Sequence, residues 1–227
     1  VVQTNLNGTR YPAFKTVLRF IIIILGFFLI ANGIVFMVQA RLGVSPWDVF
    51  HIGISRHTGL SLGRVIQLVG LVVLAFSAFF GIRPRLGTLM NMFFIGFFVD
   101  TVTNFGYIHA PGLLWQRVAL YLGGVALVGI GAASYISANL GAGPRDSLML
   151  ALTRATARRV GVIRTLMEAT VAVLGFLLGG PLGIGTLLFT LFVGPFLEAG
   201  FALIALLKKT SLYRNLWLGN PSLEEAA

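Results

Sequence analysis

Six apolar runs, 17–40, 63–82, 86–106, 113–138, 161–179 and 184–207, govern what this chain can fold into. Each is about as long as a helix must be to cross ~30 Å of hydrocarbon. A helix also satisfies its own backbone hydrogen bonds in a solvent that offers none. The chain of 227 residues is 57% apolar and 11% charged, with a mean hydropathy of +0.91, far from the composition of soluble domains. The expected fold is an all-α membrane protein with six transmembrane helices. The first run is too long for a signal-peptide core and lacks a clear cleavage site, so it reads as a retained helix.

The six runs fall into two copies of one pattern. Gly43 and Gly141 are 98 residues apart, and that shift, without a gap, also aligns Gly26 with Gly124, Gly33 with Gly131, Pro46 with Pro144, Asp48 with Asp146, Arg56 with Arg154, Gly63 with Gly161, and Gly87-Thr88-Leu89 with Gly185-Thr186-Leu187. From Arg19 to Asp100 about 21 of 82 positions are identical to their counterparts, where so biased a composition gives about 7 by chance. The chain is therefore read as a single membrane domain, 1–227, made of repeat 1 (17–106), repeat 2 (113–207) and a cytoplasmic tail (208–227). If each repeat crosses three times, the second enters from the opposite side, which makes the repeats inverted in topology.

Charge gives the orientation. With the N-terminus inside, the cytoplasmic segments collect Arg10, Lys15, Arg19, Arg83, Arg85, Arg145, Arg154, Arg158, Arg159, Arg164, Lys208, Lys209 and Arg214, and only Arg41, Arg56, Arg64 and Arg117 face outward. Positive residues accumulate on the cytoplasmic side, so both termini are expected there. The net charge of +10 belongs to these segments and not to a basic domain, which argues against nucleic-acid binding. With no cysteine and three scattered histidines, neither a disulfide framework nor a metal site is expected.

Between the first and second runs lies Ser45-Pro46-Trp47-Asp48, and between the fourth and fifth lies Gly143-Pro144-Arg145-Asp146, each followed by a short helical stretch. Glycine closes the preceding helix, proline suits the first position of the next, and aspartate near a helix start accepts bonds from free backbone N–H groups. Ser45 and Asp48 have capping-box spacing. Two readings of each short helix stay open: a re-entrant arm whose tip lines a cavity, or an amphipathic helix lying at the interface. Asp48 with Ser55, and Asp146 with Thr153, are seven residues apart and share a helical face. Trp47 and Arg145 are counterparts, so the two turns differ in chemistry.

Apart from Glu224 and Glu225, the acidic residues are Asp48 with Asp146, Asp100 with Glu198, and the unmatched Glu168. A carboxylate inside a span is costly unless paired or wetted, which makes Glu168 and Glu198 proton-coupling candidates, with Arg164, Arg145 or Arg154 as partners. Thr88 and Thr186 open the third and sixth runs, where they cap a helix or line a passage. The substrate or gating candidates are Pro46, Trp47, Asp48, Ser55, Arg56, Thr88, Pro144, Arg145, Asp146, Thr153, Arg154 and Thr186. No phosphate loop, zinc pair or nucleophile elbow is present in the sequence, so no enzymatic activity and no cofactor are expected.

The L-G-x-S-P-W-D turn at Leu42 to Asp48, the T-G-x-S-x-G at Thr58 to Gly63 and the G-T-L-x-N at Gly87 to Asn91 resemble the YczE/YyaS/YitT group of bacterial integral membrane proteins. The second repeat departs from the pattern, with Arg145 in place of Trp47 and Phe189 in place of Asn91. The resemblance implies a bacterial cytoplasmic (inner) membrane location and a shared fold, without an activity.

Inverted repeats, interrupted helices and paired acids recur together in secondary transporters. The leading expectation is a small secondary transporter, or a subunit of one, for a small-molecule substrate bound at the repeat interface. The alternatives are a non-transporting membrane partner that regulates another protein, using Arg154 to Arg164 to bind it or anionic lipid, and a lipid translocator. Membrane lipids surround the chain in every reading, and its size suits a homodimer.

Overall fold

The computed structural model describes residues 13–138, 141 and 143–209. These form eight helices: α1 (Ala13–Ala40), α2 (Pro46–Thr58), α3 (Leu62–Phe79), α4 (Leu86–Phe105), α5 (Leu114–Ser137), α6 (Pro144–Thr156), α7 (Val160–Leu177) and α8 (Ile184–Lys209). All but α2 and α6 are long and apolar enough to cross a membrane. The chain is thus an all-helical, multi-pass membrane protein. The N-terminal residues with Arg10, the tail beyond Lys209 with Arg214, and Asn139, Leu140 and Ala142 of the second turn lie outside the described residues.

The second and fifth apolar runs outlast their helices. α3 ends at Phe79 and α7 at Leu177, because Gly81 (φ 81°) and Gly179 (φ 74°) turn the chain through a left-handed conformation. The apolar residues continue, but the hydrogen-bond ladder does not.

α2 and α6, and likewise α3 and α7, start and end at positions 98 apart, and α4 and α8 begin at Leu86 and Ile184. Packing follows the same rule: α1 lies against α4 as α5 lies against α8, and the short helices are exchanged, α2 against α7 and α6 against α3.

The central contact is between α1 and α5. A Cβ added at Gly26 would lie 2.9 Å from the Gly131 carbonyl oxygen, and one at Gly33 would lie 2.5 Å from that of Gly124. The reverse approaches, from Gly131 to Gly26 at 2.6 Å and from Gly124 to Gly33 at 2.8 Å, are as tight. Position 26 meets 131 and position 33 meets 124, so the two helices run antiparallel. Small residues allow this backbone approach, the usual means of joining helices where lipid removes the hydrophobic incentive. Around it Phe27, Met37, Tyr121 and Val125 are fully buried, whereas Leu68, Val72, Phe93 and Leu187 point outward, as suits an apolar solvent.

Gly33→Leu is expected to separate α1 from α5 and to lower stability by more than the ~1–3 kcal/mol of ordinary overpacking. Gly123→Leu, one residue from the crossing with nothing within 4 Å of an added Cβ, should stay near neutral. Thermal unfolding of both variants in detergent checks this.

Candidate functional site

The two turns converge. At the start of α2, Ser45 is the N-cap and its hydroxyl accepts from Asp48 N at 3.3 Å. The cap is therefore the serine, and the Asp48 carboxylate is turned to other work. Its Oδ2 accepts from Ser45 Oγ at 2.5 Å, its Oδ1 lies 3.3 Å from His51 Nδ1, and Arg145 Nη2 from the second turn stands 3.7 Å from Oδ1. Asp48, His51 and Ser45 are all almost fully buried, whereas Arg145 is 40% exposed. The Arg145 guanidinium also lies over the Trp47 ring, 5.1 Å from its centroid, a cation–π geometry. Each turn thus supplies what the other lacks: Trp47 and Asp48 from one, Arg145 from the other.

Gly43 and Gly141 make this convergence possible. Their φ angles of 104° and 131° are open only to glycine at little cost. Each is also crowded by the start of a helix in the other half. A Cβ at Gly43 would lie 2.8 Å from Gly183 N, and one at Gly141 would lie 2.7 Å from the Arg85 Cβ. The Leu42 carbonyl accepts from Gly185 N at 2.7 Å, fastening the first turn to the base of α8.

A cavity of about 940 Å³ opens at the junction, lined by both halves. Its lining includes Trp47, Asp48, His51, Tyr135, Arg145 and Asp146 together with the apolar Ile34, Met37, Ile66, Met92, Met149 and Met167. Five arginines, Arg83, Arg85, Arg145, Arg154 and Arg164, face three carboxylates, Asp48, Asp146 and Glu168. Arg164 Nε and Glu168 Oε1 pair at 3.2 Å, and Tyr135 donates to Asp146 Oδ2 at 3.4 Å. Arg83, Arg85 and Arg154 remain exposed at the rim. Among the described residues no three His, Asp or Glu side chains gather into a metal-ligating group.

Of the residues singled out in the sequence, Pro46, Trp47, Asp48, Thr88, Pro144, Arg145, Asp146, Arg154 and Glu168 line this cavity. The others lie elsewhere. Ser55 donates to the Leu60 carbonyl at 2.6 Å, Arg56 donates to that of Gly179, Thr186 accepts from Gly183 N at 3.3 Å, and the buried Thr153 hydroxyl has no partner among the described residues. Thr88 lines the cavity but also caps α4, accepting from Arg85 N at 3.3 Å. Glu198 is exposed on α8. Among the polar lining residues that were not site candidates are His51, whose spacing of three from Asp48 was a usable signal, Tyr135, which reaches the site only through the fold, and Asn91, which the G-T-L-x-N motif contained without a site role.

The family of unknown function DUF6198 matches residues 17–200. This chain belongs to DUF6198. Among curated proteins, the uncharacterised membrane protein YczE of Bacillus subtilis is 37% identical over 186 residues, covering 81% of this chain and 86% of that protein. An uncharacterised protein of Haemophilus influenzae is 35% identical over 202 residues, with 89% of each chain covered, and YyaS of Bacillus subtilis is 31% identical over 169 residues. YczE and YyaS are members of the group that the turn motifs resemble. No solved structure matches. This DUF6198 chain spans most of each relative, and the family match over residues 17–200 takes in both turns and the residues lining the cavity.

Asp48→Ala strands His51 and Arg145 beside a buried void and is expected to cost about 2–4 kcal/mol. Arg145→Ala, which removes a partly exposed and more distant partner, should cost about 1 kcal/mol or less. Unfolding curves of the two single variants and the double variant give the coupling directly. A cost for Arg145→Ala equal to that of Asp48→Ala would contradict the assignment of Asp48 as the buried anchor.

Proposed function

We propose that this protein is a small secondary transporter of the bacterial cytoplasmic membrane, built from two inverted-topology repeats, with both termini in the cytoplasm and its substrate site in the cavity where the turns meet. The observation that carries the reading is the cavity itself, lined by both halves and by the first turns of α2 and α6. Its volume of about 940 Å³ matches that of small-molecule sites, about 300–1,000 Å³, whereas a purely scaffolding protein has no use for a chamber that brings charged side chains together within its spans.

The antiparallel α1–α5 crossing supports the inverted arrangement, since equivalent helices of the two repeats point in opposite directions. Contact between Asp48 and Arg145 at 3.7 Å supports re-entrant arms. Two helices lying on opposite faces of the bilayer would hold those residues about 30 Å apart. α2 and α6, about 20 Å long each, run from this junction toward opposite faces. The concentration of arginine in the segments 83–85 and 145–164 supports the orientation.

In this reading the Arg145 guanidinium, half-engaged by Asp48, is the group an anionic substrate meets, and Trp47 and His51 offer it flat surfaces. Asp48 and Asp146 stand at the two arm tips, Glu168 with Arg164 is the pair placed to exchange a proton, and no covalent chemistry is required of the chain.

Single cysteines at Met92 and Met149 on the cavity wall, and at Val72 on the outer apolar face, test this in a chain without native cysteine. With a membrane-impermeant thiol reagent, the two cavity positions are expected to react from the cytoplasmic side, and Val72→Cys to stay silent. Cavity positions silent from both sides would mean a junction packed shut, and the transporter reading would give way to that of a membrane scaffold.

A further inference from the structure

The two halves share their helices but not their seams. In the first half α3 and α4 close on each other: a Cβ at Gly63 would lie 2.0 Å from the Gly96 oxygen, and one at Gly96 would lie 2.4 Å from that of Gly63. Gln67 Nε2 donates to the Phe93 carbonyl at 2.9 Å. Asp100 fastens the free end of the pair. Its Oδ1 accepts from Gly63 N at 2.8 Å and its Oδ2 from Ser61 Oγ at 2.5 Å, so a carboxylate on α4 caps the first turn of α3.

Their counterparts in the second half stand apart. Gly161 and Gly194 have nothing within 4 Å of an added Cβ, and α7 and α8 form no packed pair like that of α3 and α4. Glu198, the counterpart of Asp100, is exposed and has no hydrogen-bond or ion-pair partner among the described residues. α7 begins after Arg159 without a side-chain cap. α8 also carries Pro195 within the helix, beside Gly194, where α4 has Phe97 beside Gly96. Proline there removes one helix hydrogen bond and marks the place where α8 can bend.

We infer that the α7–α8 seam closes in a second state of the protein, with Glu198 as its latch, while the α3–α4 seam opens and Asp100 lets go. The inference rests on the transporter reading above and supplies its gates. In the second state Gly161 meets Gly194, and the Glu198 carboxylate accepts the Gly161 N–H and pairs with Arg159, which stands where the first half has Ser61. Bulk is exchanged across the seam: Gly70 packs on Met92 in the first half, and their counterparts are Glu168 and Thr190. The large residue changes helix, so the volume to be filled stays similar. Each helix pair is tied at one end by its short loop, 80–85 or 178–183. The free ends therefore part as a wedge, and exchanging which wedge is open moves the mouth of the cavity from one end to the other.

Thr165 and Leu191, the counterparts of Gln67 and Phe93, are exposed and tolerate cysteine without crowding. The full-length Thr165→Cys, Leu191→Cys chain, in native membrane vesicles without added substrate, is oxidised with copper phenanthroline. Cross-linking is scored per molecule of chain recovered from the membrane, so poor expression does not count as a result. An intramolecular disulfide is expected, with its yield lowered about fivefold by Glu198→Ala and raised by Asp100→Asn. Absence of an intramolecular disulfide, a disulfide only between two chains, or a yield indifferent to Glu198→Ala would each overturn the proposal. Because no substrate takes part, failure here leaves the cavity labelling standing, and the two readings fall separately.

Discussion

Everything in this protein hangs on the antiparallel crossing of α1 and α5. Lipid offers two helices no hydrophobic reason to associate, so contact must come from close packing. Gly26, Gly33, Gly124 and Gly131 supply it by letting carbonyl oxygens of one helix approach the α-carbons of the other. The four glycines are two repeat-related pairs, Gly26 with Gly124 and Gly33 with Gly131, that meet crosswise, Gly26 on Gly131 and Gly33 on Gly124, so one sequence pattern written twice creates its own complementary surface. Once α1 and α5 are joined, the turns that follow them are brought face to face, and α2 and α6 find their grooves on the opposite half.

A perfectly symmetric junction would be electrostatically poor. Two aspartates facing each other at low dielectric, without a counter-charge, would neutralise or repel. Replacing the tryptophan of one turn by arginine in the other resolves this with a single change, because Arg145 reaches Asp48 and covers Trp47 at once. The second aspartate is served differently, by the Tyr135 hydroxyl. Asp48 is thus buried and well partnered whereas Asp146 is half-exposed, and duplicated residues have acquired unequal environments.

Much of this was legible in the sequence because it depends on local physics. Apolar length locates the spans, identity at a shift of 98 locates the repeat, and proline after glycine locates α2 and α6. Helix ends at Gly81 and Gly179 were missed, since an apolar run does not reveal a left-handed glycine. Residue pairing over distance was harder. Arg164 with Glu168 is a one-turn helical spacing and was foreseen, but Asp100 capping α3 from 37 residues away depends on how α3 meets α4, and Tyr135 with Asp146 depends on the turn between them. Glu198 shows the limit of reading by counterpart: both positions carry a carboxylate, yet it is a cap in one half and exposed in the other, a difference that lies in how the helices pack.

That difference bears on why a duplicated membrane protein need not be symmetric at any instant. Closing both seams would seal a cavity whose arginines and carboxylates would then have neither water nor further partners, at the cost of desolvating each. Opening both would release Asp100 as well as Glu198 and strip the glycine contacts of α3 and α4, leaving the α1–α5 crossing to hold the halves alone. One closed and one open seam keeps a capped carboxylate on one side and a wetted one on the other. In the proposed exchange of seams the cavity charges set this preference, and the glycine contacts lower its cost, because a backbone contact can be remade with little side-chain repacking. Asymmetry between equal halves then follows from the polar content of the cavity between them.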